Sequence, residues 1–286
     1  MGQWQKNSYT RHVLRVTVPS YHESLLSLLY PGDRQACEWF KPALQSLTEH
    51  WPWSQPQRQQ VVVRTDAGLG TDANINYALW RHFQVLMKGF SGTRTQSWVN
   101  QLVQPTWIED EARLRAITAA PVTLRFGRRT DNYLLRWISP KGKLSYGTLI
   151  SSLLDLDPLT TLRLYDGRGA DEGEIGSDKT GLLLPKRRKQ SLAAQEALVL
   201  LTDVAHNLLA WLHPWALRDT PFAGFGPQRL VADVLSVPGH LDFEHGRLVK
   251  VSLWQAHPYA EPLQIALITL LRYFDLPATI VGTRKL

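Results

Sequence analysis

The apolar positions change period several times along the chain, and the changes mark its elements. His12–Val18 (HVLRVTV) and Tyr21–Tyr30 (YHESLLSLLY) predict two strands joined at Pro19, followed by a Pro31-Gly32-Asp33 turn. Residues 34–49 predict a helix with Ala36, Phe40, Leu44 and Leu47 on one stripe, and Gln55–Gln60 a polar, proline-marked break. Val61–Asp66 (VVVRTD) begins with the short β-branched run of a buried strand. A loop over 67–72, a helix over 74–82 and a strand over 84–88 complete a strand–helix–strand unit. From 92 to 160 the chain predicts a mostly β insertion, with strands at Pro121–Gly127 and Asn132–Ser139 and a turn at Lys141-Gly142-Lys143.

From Tyr165 the pattern turns helical. The run 191–212 has Ser191 as its expected N-cap and Pro214 as its stop, and its apolar width predicts a buried helix. The region 227–277 mixes helices with strands around Gly246–Trp254, and no internal repeat occurs. The expected division is 1–91, 92–160, 161–213 and 214–286.

Composition narrows the class. The chain has 286 residues, 44% of them apolar, which is enough for one large core or two modest ones. A net charge of +7 and a pI near 9.6 favour a polyanionic partner such as nucleic acid. With Cys37 as its one cysteine the chain can form no internal disulfide and no thiolate zinc cluster. The opening MGQWQKNSY lacks an apolar signal region, and no run of about 18 apolar residues spans a membrane. A cytoplasmic protein is therefore expected.

The candidate chemistry lies in Tyr165, Arg168, Glu172 and Lys179, spaced by three, four and seven residues. In a helix those offsets return to one face. Gly167 and Gly169 place the helix start near Ala170, with Tyr165 and Arg168 at its mouth. A carboxylate can hold a divalent metal, and an arginine can grip a phosphate with its bidentate fork. Lysine adds a point charge and tyrosine a hydroxyl. The competing reading is a solvated helix laced with ion pairs four residues apart. Glu174 is a second candidate acid, disfavoured by its spacing to Lys179.

The pattern Y-x2-R-x3-E-x6-K, unbroken here, resembles the signature of the insertion-sequence DDE transposases of the IS-four group. The flanks YDGRG and GLLLPKRRKQSLAAQEALVLLTDVAHNLLAW resemble that family too, as do VVVRTDAGLG and VLMKGFSG upstream, so the likeness runs from about Tyr21 to Leu212. It implies an α/β, ribonuclease-H-like core with a β insertion between the second and third catalytic acids. It further implies three acids holding two Mg²⁺ (or Mn²⁺) ions, double-stranded transposon-end DNA as partner, and a homodimer on paired ends. By position Asp66 is the second acid and Glu172 the third, both catalytic and metal-binding. Tyr165, Arg168 and Lys179 would grip the DNA, joined by Lys186, Arg187 and Arg188 from the basic run that follows.

One expectation of the family is not met. Its first aspartate sits on a strand preceding the predicted hairpin, yet Met1–Thr10 holds no Asp or Glu. Asp33 and Glu23 fall on the wrong elements, and Asp72 is too close to Asp66. The sequence thus predicts a truncated transposase, inactive alone, whose sheet is open beside the Asp66 strand. The alternatives are a non-catalytic DNA-binding remnant and another nuclease of this fold. Trp137 could stack on an unpaired base, against the plainer expectation that it is core. His206 is expected to be a hydrogen-bonded core histidine, and Cys37 a small apolar filler.

Overall fold

The computed structural model describes residues 11–167, 169–185 and 191–284, and within 169–174 it leaves out every side chain. The first strands are β1 (Arg11–Val18) and β2 (Glu23–Pro31), a two-stranded hairpin. A 3-10 turn, Ala36–Trp39, leads into helix α1 (Phe40–His50), which buries Phe40, Ala43, Leu44 and Leu47. The predicted break at Gln55–Gln60 is instead a short helix, α2. Ser54 and Gln57 form a reciprocal capping box there, and Pro56 lies in the first turn, where its missing N–H costs nothing.

Next come β3 (Val62–Thr65), α3 (Asp72–Trp80) and β4 (Gln84–Lys88), with β3 and β4 parallel as the strand–helix–strand pattern requires. Helix α4 (Gly92–Asn100) precedes β5 (Ile108–Asp110), β6 (Arg115–Ala119), β7 (Asp131–Ile138) and β8 (Leu144–Ser151). These strands extend the same sheet in the order β3-β4-β8-β7-β6-β5, so the expected boundary at 91/92 separates strands that the ladder joins. The predicted strand at Pro121–Gly127 is a loop: β7 already pairs with β6 on one edge and β8 on the other. That loop is tied down by Gly127 N–H donating to Asn76 Oδ1 at 2.8 Å and by Arg128 donating to the Phe83 carbonyl.

Strand β3 is an edge strand, with β4 its one partner among the described residues. Helix α5 (Pro158–Asp166) packs beneath the sheet, where Leu86, Ile117, Tyr133, Leu135, Leu149, Leu162 and Tyr165 make one core.

Helix α6 (Gly169–Gly181) and helix α7 (Leu192–Leu212) follow, with Ser191 Oγ accepting from Ala194 N–H as the predicted N-cap. Pro214 does not stop the chain's coiling: a π-helical turn, His213–Leu217, carries on from α7. Beyond it lie α8 (Pro227–Arg229), β9 (Gly239–Glu244), β10 (Arg247–Trp254), α9 (Ala260–Tyr273) and β11 (Thr279–Thr283), the strands ordered β11-β10-β9. Their core includes Leu217, Phe222, Leu230, Val234, Val251 and Leu263.

The chain divides into two compact units. The first takes Leu28–Ala170 with the chain up to Leu14; the second takes Arg15–Ser27 with Asp171–Leu286. No helix among the described residues is long and apolar enough to cross a membrane.

Candidate active site

In the first unit, the local chemistry begins with the end of β3. Thr65 is the strand's last residue, and Asp66 stands exposed immediately after it. The turn that follows is specified residue by residue. Gly70 passes so close to the Lys88 carbonyl oxygen that any Cβ would collide with it. Asn74 holds the loop from below, donating to the carbonyls of Leu69 and Cys37, each at 2.9 Å. Thr71 caps α3 through Asn74 N–H. Arg94 pairs with Asp72 through both carboxylate oxygens, at 2.7 and 2.5 Å. Asp72 is therefore occupied in holding α3 to α4, which removes it as a candidate acid.

Gly68 leaves room in front of Asp66: a Cβ there would lie 3.2 Å from Asp66 Oδ1. An exposed carboxylate with a bare glycine before it fits one ligand position of a divalent cation, which takes hard oxygen donors and completes its shell with water and phosphate. Its negative charge is felt by Tyr30. Burial first, and the Asp66 charge second, raise the Tyr30 hydroxyl above its ordinary value, so it stays protonated at neutral pH. Tyr30 is itself fixed between His12 and Trp39, with ring centroids 5.5 and 5.6 Å away. Nothing in the sequence pattern singled out Tyr30, because its neighbours come from three separate segments.

The remaining predicted site residues fall as follows. Tyr165 is not at the mouth of α6. It lies in the last turn of α5 with its ring in the core, 5% exposed. The physical reason is the helix break one residue beyond Asp166. Gly167 admits the Arg64 guanidinium, which donates to the Leu164 carbonyl at 2.7 Å and satisfies an end of α5. Arg168 lies outside the described residues, as do Lys186, Arg187 and Arg188. Position 172 falls within α6, and the Glu172 side chain is outside the description. Lys179 is exposed in the last turn of α6, seven positions on, two helical turns along the same face. Trp137 is half-buried, carries the Lys88 ammonium over one ring face at 4.3 Å and packs against the core. Among the described residues no group of three His, Cys, Asp or Glu could hold a metal ion.

A family model described as Transposase DDE domain group 1 matches residues 19–273, nearly the whole chain. The chain belongs to the DDE transposases. The mixed six-stranded sheet with its parallel β3-α3-β4 unit accords with the ribonuclease-H-like fold of such transposases. No curated protein matches the chain. This transposase's acid-bearing strand end is thus built and solvent-facing at Asp66, within a family that works on DNA with divalent metal ions.

Proposed function

We propose that this transposase recognises insertion-sequence ends as double-stranded DNA, in the manner of the IS-four group, with Asp66 and Glu172 as two of the acids of a Mg²⁺ or Mn²⁺ centre. The single observation that carries the reading is Asp66, exposed at the end of β3 and fronted by Gly68, in a chain matched to a transposase family from 19 to 273. Lys179, exposed on α6, is a DNA-backbone contact in this reading, and Arg168, Lys186, Arg187 and Arg188 are further cationic contacts by their place in the sequence.

Divalent ions, when bound, would activate water or a 3′-hydroxyl and stabilise the leaving oxygen. The chain's own residues hold the surroundings. Arg94 keeps Asp72 away from the site, Asn74 fixes the loop, and the protonated Tyr30 hydroxyl adds no second negative charge near Asp66. A cytoplasmic location and a homodimer on paired ends belong to the same proposal.

The test uses duplexes covering the DNA that flanks the reading frame. Binding should occur without metal and weaken with salt, and Lys179→Ala should lower the slope of log affinity against log salt by about one. Any strand nicking in Mg²⁺ or Mn²⁺ should be lost in Asp66→Asn. Nicking unchanged in Asp66→Asn would overturn the role of Asp66, and salt-independent binding would overturn the DNA reading.

A further inference from the structure

Helix α6 is an unusual element to carry functional residues. Four of its 13 positions are glycine (Gly169, Gly173, Gly176 and Gly181), each costing about 1 kcal/mol of helix propensity in an interior position. Ile175 is its one large apolar side chain, so hydrophobic packing has little to grip. What the helix does offer the interior is Asp178, whose side chain is fully buried.

Asp178 ends in a polar cluster wholly inside the second unit. Arg15, on β1 with its side chain 2% exposed, pairs with Asp178 Oδ2 and places Nη2 2.8 Å from Asp203 Oδ1 on α7. Ser27 Oγ donates to Asp203 Oδ1 at 3.0 Å. On the other side, His206 Nδ1 lies 3.0 Å from Asp178 Oδ1, and Nε2 lies 2.8 Å from the His22 carbonyl oxygen. A carbonyl only accepts, so Nε2 carries a proton. Asp178 accepts from Arg15 through Oδ2 and turns Oδ1 to the ring, so Nδ1 donates to it and carries a proton too. The ring is an imidazolium, and Arg15, His206, Asp178 and Asp203 sum to zero charge. Burial away from water opposes that charge, but the hydrogen bond and charge of Asp178 and the His22 carbonyl outweigh it, raising His206 above its ordinary value despite the nearby Arg15. Around the cluster, Ser24 N–H donates to Asn207 Oδ1 at 2.8 Å and Trp211 Nε1 to Glu23 at 2.6 Å, fastening the hairpin tip to α7.

We propose that Asp178 is a positioning residue: clamped between Arg15 and His206, it sets the rotation of α6 and therefore the direction of Lys179 and of the turn bearing Glu172. The roles of Lys179 and Glu172 rest on the function proposed above; the clamp itself does not. A helix with one apolar anchor can roll about its axis, and a buried carboxylate held by two cations from different elements removes that freedom. The clamp releases when the imidazolium loses its proton, because the neutral ring then offers Asp178 one charge fewer.

Hydrogen exchange of the full chain, followed by mass spectrometry and corrected for intrinsic rates, tests this. In Asp178→Asn, peptides from α6 should exchange on the order of a hundredfold faster, while those from α9 keep their protection. In the wild type, α6 should lose protection as pH rises from about 6 to 9, and His206→Gln, which keeps a donor but cannot titrate, should abolish that dependence. Unchanged α6 protection in Asp178→Asn, or an equal loss in α6, α7 and α9, overturns the proposal. If Asp178→Asn does not fold, the pH arm decides: a wild-type α6 indifferent to pH over that range overturns it as well. A Lys179→Ala chain that binds duplex DNA with the wild-type salt slope would sink the role of Lys179 while leaving the exchange result standing.

Discussion

Strand β8 and helix α7 are both rich in apolar residues, yet they spend them in opposite ways. In β8, Leu149 and Ile150 are completely buried between β4 and β7, and the strand reads apolar because both of its faces are covered. In α7 the large apolar stripe points outward: Leu201 is 63% exposed and Leu208 54%, while Asp203 and His206 are buried. The predicted buried helix is therefore half inverted. The difference teaches that apolar width reports how many faces can be covered, not which one is. The face of α7 that turns inward is chosen by charge partners on the hairpin and on α6.

The largest effect should come from breaking the polar interior. Arg15→Met leaves Asp178 and Asp203 buried without their guanidinium and should cost about 3–5 kcal/mol in denaturant unfolding. Replacing Arg15, Asp178, Asp203 and His206 together with apolar residues of similar volume should recover most of that loss, since no unpaired charge remains. A loss from Arg15→Met below about 1 kcal/mol would mean that water reaches the cluster.

The apolar interior should respond nearly as strongly. Leu149→Ala removes a fully buried side chain and should cost about 2–4 kcal/mol, without any dependence on pH. Here the contrast sharpens. Imidazole ordinarily titrates at 6.5, and His206 is raised in the folded chain, so the native state holds the proton more tightly than the unfolded one. That stabilisation is complete below the ordinary value and is lost as pH climbs through the raised one. The difference in unfolding free energy between wild type and His206→Gln should therefore shrink toward alkaline pH; a difference that grew instead would assign the ring the opposite charge.

The smallest effect belongs to the outer stripe. Leu201→Lys should change stability by less than about 0.5 kcal/mol if that face is solvated, and a larger loss in equilibrium unfolding would show that it is covered in solution.

The elements that local pattern could specify were legible. The hairpin around Pro19, α1, the β3-α3-β4 unit and the turn at Gly142 with its positive φ all follow from period and turn chemistry. So did the Ser191 cap and the isolation of Asp66 at a strand end. The strand expected at Pro121–Gly127 did not form, because β7 had no free edge left to offer. Tyr165 went into the core because Gly167 and Arg64 end α5 just past it, a contact across 100 residues of chain.

What the sequence by itself determined was the kinship, the strand end carrying Asp66, and the spacing that puts positions 172 and 179 on one helix. Each is written in neighbours a few residues apart. What only the tertiary structure decided was the fate of the charges: Asp72 bound to Arg94, and Arg15 meeting Asp178 across 163 residues. A buried charge needs a partner of opposite sign at contact distance, and which one it finds is fixed by how distant segments pack, which no local pattern records.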